Sequence, residues 1–275
     1  MKNQYVGKVG VGEVLSYVLL SIVLIFCILP LIFMATAAFM DAKQIMSMPY
    51  TWIPSSEYFT TSTRTFFTNF QKAIVGNHGD NIFFRNLFNS LIVASVCAIT
   101  TVLLASLCGF GLAKYKLKGQ KAVFMAIMST MMIPFEAIMI PLYLVATKMN
   151  IINTIPGLII PFLVSAFGVF QMRQYLITFP TVDGRGECGI YAKIVLPNST
   201  PVIATLAILS FRNQWDNLLW PLLCSQAEKM KTIPLYISKF AEEKQTDEGA
   251  LMACALLASI PMFILFFSMS KYFLG

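Results

Sequence analysis

The sequence predicts an all-α polytopic membrane protein with six transmembrane helices, and three observations carry that expectation. The 275 residues are 57% hydrophobic and only 12% charged, where an ordinary soluble domain carries about 25% charged residues. Apolar stretches near the length of about 20 residues that crosses a hydrocarbon core of about 30 Å recur six times along the chain. None of them alternates with the two-residue period of a barrel strand, and a chain in lipid must satisfy its backbone internally, which leaves helices.

The first stretch runs from about Val14 to Phe39. It is too long for a signal-peptide core, and MATAAFMDAK continues it without a small-residue cleavage pattern, so it reads as a retained span. The second covers Leu87 to Ala113, the third Ala122 to about Leu144, and the fourth about Ile155 to Met172. The fifth covers Val202 to Leu223 and the sixth Ala250 to Phe273. Pro30, Pro134 and Pro261 fall within spans, where each frees a carbonyl four residues back and permits a kink.

Orientation follows from the loops. The short connection KYKLKGQK carries Lys114, Lys116, Lys118 and Lys121 and no acid, which places it in the cytoplasm. With six spans, both termini and the segment 181–201 are then cytoplasmic, and the longer segments from Asp41 to Arg85 and from Ser225 to Glu248 are outside. The latter is acid-balanced, with Lys229, Lys231, Lys239 and Lys244 against Glu228, Glu242, Glu243, Asp247 and Glu248. The net charge of +7 is accounted for by an inner face that meets anionic lipid, and no nucleic-acid-binding pattern is present. Most of the six cysteines lie inside spans as small hydrophobes, no CxxC pair exists, and His78 has no second ligand beside it; no metal site is expected.

TVDGRGECGIYAKIVLPNSTP, residues 181–201, is a charged, glycine-rich patch between two apolar spans. Asp183 and Gly184 read as a helix cap with a turn, after which Ile190, Tyr191, Ile194 and Val195 share one side of a short helix. Pro197 is expected to end that helix near Val195 or Leu196. Periodicity alone equally fits an interfacial helix lying on the headgroups.

The fifth span contains RNQWDN, residues 212–217. An arginine at a helix centre costs roughly 2.5 to 3.5 kcal/mol on insertion scales, so the cluster needs partners or a water-filled cavity. Arg212 and Asp216 are one turn apart and can pair, while Asn213, Asn217 and Trp220 fall on an adjacent face. One reading is an Arg–Asp pair with amides that hold helices together. The other is a translocation path lined by Arg212, Asn213, Asp216 and Asn217, with Trp215 or Trp220 offering a flat apolar surface to a sugar ring.

The run DGRGECGIYAKIVLP resembles the second half of the EAA loop of binding-protein-dependent ABC importer permeases. TMMIPFEAIMIPLYLVATKMNIINTIPGLIIPFLVSAFGVFQMRQYL (residues 130–176) resembles the third and fourth spans of the maltose-type carbohydrate permeases. FRNQWDNLLWPLL (211–223) resembles their fifth span and TDEGALMACALLASIPMFILFF (246–267) their sixth. FFRNLFNSLIVAS (83–95) resembles the start of their core.

The resemblance implies a type I ABC importer permease fold: an N-terminal segment and first span over 1–40, an extracellular loop over 41–85, and a transmembrane core over 86–273 that contains a cytoplasmic coupling segment, 173–198. It implies ATPase coupling through Asp183, Gly184, Ile190, Tyr191, Ile194 and Pro197, and substrate-pathway roles for the polar cluster. It further implies a second homologous permease, ATP-binding subunits and an extracellular solute-binding protein as partners in a bacterial cell membrane. ATP and Mg would sit on the partner ATPase, since this chain has no GxxxxGK[ST] loop and no cofactor of its own. One departure stands out. Between Phe179–Pro180 and Asp183 only Thr181 and Val182 intervene, about two helical turns fewer than the family pattern, and no EAA triplet is present. The cargo implied is a sugar, an oligosaccharide first, with glycerol 3-phosphate as the alternative. A self-sufficient ion-coupled transporter is the reading from another class; the spans offer it only Arg212, Asp216 and Glu136 as a relay and no convincing repeat.

Overall fold

A computed structural model describes residues 10–55, 67–76, 81–115, 118–178, 189, 191–242 and 247–270. Asp183, Gly184, Ile190, Lys116, His78 and Cys188 lie outside the described residues. Every regular element among the described residues is helical.

Helix α1 spans Val11–Ala37; its first turn is closed by the Glu13 carboxylate, which accepts from the Gly10 N–H at 3.2 Å. It is apolar all round, and Ile25 and Phe26 are 62% and 74% exposed, the profile of a helix solvated by lipid. Helix α2 (Ala42–Ile45) starts where Asp41 accepts from Gln44 N at 2.8 Å. There follow α3 (Thr68–Val75), α4 (Phe83–Lys114), α5 (Gln120–Thr130) and α6 (Phe135–Lys148). Helix α7 (Ile155–Ile159) is capped by Thr154 and continues as a 3-10 turn, Ile160–Phe162; α8 (Ala166–Ile177) is capped by Ser165. A wide, π-type stretch, Tyr191–Val195, runs into α9 (Leu196–Asn198), and α10 (Thr200–Trp215) follows. The last elements are α11 (Leu219–Cys224), a 3-10 turn at Glu228–Met230, α12 (Ile233–Glu242) and α13 (Glu248–Met269).

Among the described residues three helices, α1, α4 and α13, are each long and apolar enough to cross a membrane. Three bent pairs reach that length only together: α5 with α6 at 95°, the Ile155–Phe162 helix with α8 at 43°, and Tyr191–Asn198 with α10 at 72°. The six-span expectation is met only when each bent pair counts as one span. Three spans expected to be continuous are broken, the fourth between Phe162 and Ala166. The third breaks at Met131–Pro134, because Pro134 holds extended backbone (φ −66°, ψ 143°) as the N-cap of α6. The fifth ends at Trp215 and resumes at Leu219.

The chain forms two compact units. The first comprises Met1–Ala73 with Phe240–Leu257. Within it, the buried Asn69 amide donates to Ala38 O at 3.0 Å and Met40 O at 2.7 Å. A Cβ on Gly249 would stand 2.4 Å from both Met40 O and Asn69 Nδ2, so only glycine lets α13 start there. Lys72 Nζ lies 2.5 Å from Asp247 Oδ2, and Asp247 also accepts from Ala250 N, a carboxylate placed at a helix N-terminus where the dipole favours it.

The second unit, Ile74–Lys239 with Ala258–Gly275, is organised on α4, with α8 and α10 packed along it. Small residues set the approach: a Cβ on Gly109 would lie 2.7 Å from Met172 Cβ, and one on Gly168 3.1 Å from Ala105 Cβ. Apolar burial drives little helix association in lipid, so close backbone packing of this kind holds the bundle. One buried cluster contains Ala105, Phe110, Met172, Leu176, Val195 and Leu206, and a second contains Val93, Cys97, Ala146, Leu158, Trp220 and Cys224.

Candidate functional site

The segment read as the coupling helix is helical from Tyr191 to Asn198 and turns 72° at Ser199 into α10. It is fastened to the bundle on one side. Val195 is 5% exposed inside the first cluster, the Tyr191 ring lies 5.4 Å from that of Phe110, and the Tyr191 and Ser106 hydroxyls are 2.6 Å apart. Ile194 is half-buried and Lys193 exposed. The expectation that Pro197 ends this helix is corrected: Pro197 lies inside the first turn of α9, where a missing N–H is tolerated, and the break comes two residues later. The Asn198 side chain donates to Ile194 O at 2.7 Å, and Tyr175 Oη donates to Asn198 O at 2.9 Å, so the end of the segment is tied to α8.

Neighbouring turns are clamped by Arg173 and Gln120. Arg173 Nε donates to Leu112 O at 3.2 Å while its guanidinium lies 4.1 Å from the centre of the Phe124 ring. The Gln120 side chain donates to the same Leu112 carbonyl. Sequence periodicity had no means of finding this clamp, because it joins α4, α5 and α8 through one carbonyl at a helix end.

In the polar cluster, Arg212 Nε and Asp216 Oδ2 are 3.4 Å apart, as the spacing predicts, with both side chains more than half exposed on the chain. Asn217 does not continue the Asn213 face, since α10 ends at Trp215. Its Oδ1 instead accepts from Trp220 N at 3.3 Å and its Nδ2 donates to Gln214 Oε1 at 3.3 Å, so it bridges the break between α10 and α11. The tryptophans do not present flat surfaces. Trp220 is fully buried, donates through Nε1 to Gly157 O at 3.0 Å, and meets Phe135 and Phe162 edge-on. Trp215 is 4% exposed and stacks on Phe211 with centroids 5.6 Å apart. Both pack the core, which corrects their expected role as ring platforms.

Asn213 and Gln214 instead border a cavity of about 170 Å³, together with Cys97 and Thr101 of α4, Phe162 and Ser165 at the bend before α8, and Ser210. The cavity went unseen in the sequence because its lining comes from three separate segments, each contributing only one to three polar residues.

A polytopic helical bundle with broken spans and a short helix set across the end of one of them is the fold of an ABC importer permease. The chain is similar in fold to the crystal structure of a bacterial ABC transporter involved in the import of the acidic polysaccharide alginate, with a TM-score of 0.79 over 99% of this chain and 100% of that one, at 19% identity. No family model matches the chain. It is 32% identical over 205 residues to the arabinooligosaccharides transport system permease protein AraQ of Bacillus subtilis, covering 72% of this chain and 73% of that protein. It is 34% identical over 193 residues to the lactose transport system permease protein LacG of Rhizobium radiobacter, covering 68% and 71%. To the sn-glycerol-3-phosphate transport system permease protein UgpE of Agrobacterium fabrum it is 27% identical over 272 residues, 96% and 95% of the two chains. The chain belongs to the family of binding-protein-dependent ABC importer permeases of the maltose-type carbohydrate group.

Proposed function

We propose that this chain is one half of a bacterial cell-membrane gate that moves a sugar, an oligosaccharide first, by alternating access, driven by ATP and Mg bound to partner ATP-binding subunits. The observation that carries the reading is the Tyr191–Asn198 helix, turned 72° from α10 and rooted in the bundle by Tyr191 and Val195. A rigid lever of this kind passes a push at the cytoplasmic face into α4 and α10, whereas a helix merely floating on headgroups would not be anchored. Both termini are cytoplasmic in this reading, a second permease completes the gate, and an extracellular solute-binding protein delivers cargo to the outer side.

Tyr191, Ile194 and Pro197, with Asp183, Gly184 and Ile190, form the coupling segment, and Arg212, Asn213, Asp216 and Asn217 belong to the path. Support for a sugar comes from the relatives named for arabinooligosaccharides and lactose transport. The alignment along nearly the full length with a permease named for sn-glycerol-3-phosphate transport favours a second reading, that phosphate ester as cargo. Co-purification tests the lever: the chain should bring down an ATPase subunit from its native membrane, and Ile194→Asp should abolish that association at unchanged membrane abundance. Retention of the ATPase by the variant would remove the docking role.

A further inference from the structure

We propose that Arg173 is a positioning residue for coupling: its guanidinium ties the end of α4 and the start of α5 to α8, so that a push on the Tyr191–Asn198 helix moves the three as one body. The inference rests on the permease reading and names the side chain through which that lever reaches α5.

The end of α4 is the first argument. Tyr115, its C-cap, is extended (φ −95°, ψ 142°) and sends its N–H to Gly111 O. The Leu112 carbonyl is therefore among those that a helix end leaves without an intrahelical donor, and Leu112 is buried. Arg173 Nε donates to that oxygen at 3.2 Å, and the Gln120 side chain donates to it as well. A cation is the favoured donor there, at the negative end of the helix dipole. The main chain brings Arg173 to this point: a Cβ on Gly109 would stand 2.9 Å from Arg173 N, so α8 presses on α4 one turn before Leu112.

The hold on α5 is the second argument. α5 fully buries none of its residues, and Gln120, Phe124, Ile127 and Met128 are half-buried. The Arg173 guanidinium lies 4.1 Å from the centre of the Phe124 ring, and Phe170 stacks on the same ring with centroids 6.3 Å apart at 17°. Phe170 and Arg173 are one turn apart on α8, so a single ring of α5 meets both. Arg173 forms no ion pair among the described residues. Its charge is held by a π face and a helix-end carbonyl together, which calls for a planar guanidinium.

The lever is the third. Tyr175, two residues beyond Arg173, donates to Asn198 O at 2.9 Å, and the Tyr191 and Ser106 hydroxyls meet. The short helix thus touches α8 beside Arg173, and α4 about 9 Å along its axis from Leu112. Those contacts move α8 and α4; the guanidinium brings α5 with them.

The test uses the whole transporter, this chain with its partner subunits and binding protein, in ATP-loaded proteoliposomes, with uptake and phosphate release read together. The labelled probes are lactose, arabinotriose and sn-glycerol 3-phosphate. Arg173→Lys keeps the charge but cannot hold carbonyl and ring at once. It should lower solute moved per ATP hydrolysed by about five- to tenfold, the worth of one lost hydrogen bond, at unchanged KM and abundance. Phe124→Leu should lower the ratio about threefold, while Phe124→Tyr, which keeps the ring face, should leave it native. The double variant Arg173→Lys/Phe124→Leu should fall no further than Arg173→Lys, since both break one clamp. If Phe124→Leu does not accumulate, Arg173→Lys decides alone. A native ratio in Arg173→Lys, or a raised KM at a native ratio, would overturn the inference and leave the permease reading standing. That reading fails separately, and the inference with it, if ATP drives uptake of no probe by native vesicles.

Discussion

The hydroxyls of Tyr191 and Ser106 lie 2.6 Å apart, joining the short helix after the glycine-rich loop to the longest span of the bundle. Ser106 Oγ also lies 3.0 Å from the Leu103 carbonyl of its own helix, so a displacement of Tyr191 is felt by the backbone of α4. Tyr191→Phe should keep the ring against Phe110 and lose only this bond, about 1 kcal/mol. Transport per ATP hydrolysed should fall severalfold while assembly with the ATPase is retained. Ser106→Ala should match it, and equal effects of the single and double variants would assign the loss to the pair.

Gly109 and Gly157 set backbone contacts that no larger residue can occupy. Gly157 Cα is so placed that a Cβ would stand 2.0 Å from Ile151 O, a backbone atom that cannot swing aside, and one on Gly109 would meet Met172 Cβ at 2.7 Å. Overpacking of this kind costs typically about 1–3 kcal/mol, occasionally more. Gly157→Ala and Gly109→Val should each lower the melting temperature in detergent, with Gly157→Ala the more severe because its obstacle is main chain.

Trp220 separates packing from recognition. Trp220→Ala removes a fully buried indole between Phe135 and Phe162 and should cost about 3–5 kcal/mol, seen as loss of the chain from the membrane. Trp220→Phe gives up chiefly the Nε1–H bond to Gly157 O and should cost about 1 kcal/mol. Neither change should alter KM in the protein that survives.

Asn69 holds the connection between α1 and α2 by donating to two carbonyls, those of Ala38 and Met40. Asn69→Leu leaves both buried acceptors without that donor, about 1–3 kcal/mol. Proteolysis between α1 and α2 should accelerate, while Asn69→Asp, which also loses the two-proton donor, should behave alike. Native cleavage rates in both would show that the carbonyls find another donor.

The helical class and the short helix after the glycine-rich loop were legible in the sequence because each depends on local hydropathy and on residues three or four apart, and the six spans only in so far as each bent pair counts as one. The Arg212–Asp216 pair was legible for the same reason. The breaks were harder. A hydropathy window averages across Met131–Pro134 and across Asp216–Leu218, whereas the backbone there is decided by one proline acting as an N-cap and by one asparagine bridging two helices. Pro197 was misread because a proline need not end a helix: within the first turn of α9 its missing N–H costs little, and Pro30 and Pro261 sit inside α1 and α13 without ending them. The tryptophans were assigned to the path by side-chain chemistry alone, and only the approach of Gly157 and Phe162 from distant segments shows them to be core. The cavity needed three elements brought together, which no periodicity announces.

The central claim is that the chain is a gate worked by nucleotide hydrolysis on other subunits, and reconstitution measures it directly. Vesicles holding the purified chain by itself should show no solute uptake under an imposed proton or sodium gradient, and uptake should begin only when the ATPase, the second permease, the solute-binding protein and ATP are all supplied. Accumulation of solute by the lone chain on an ion gradient would contradict the account.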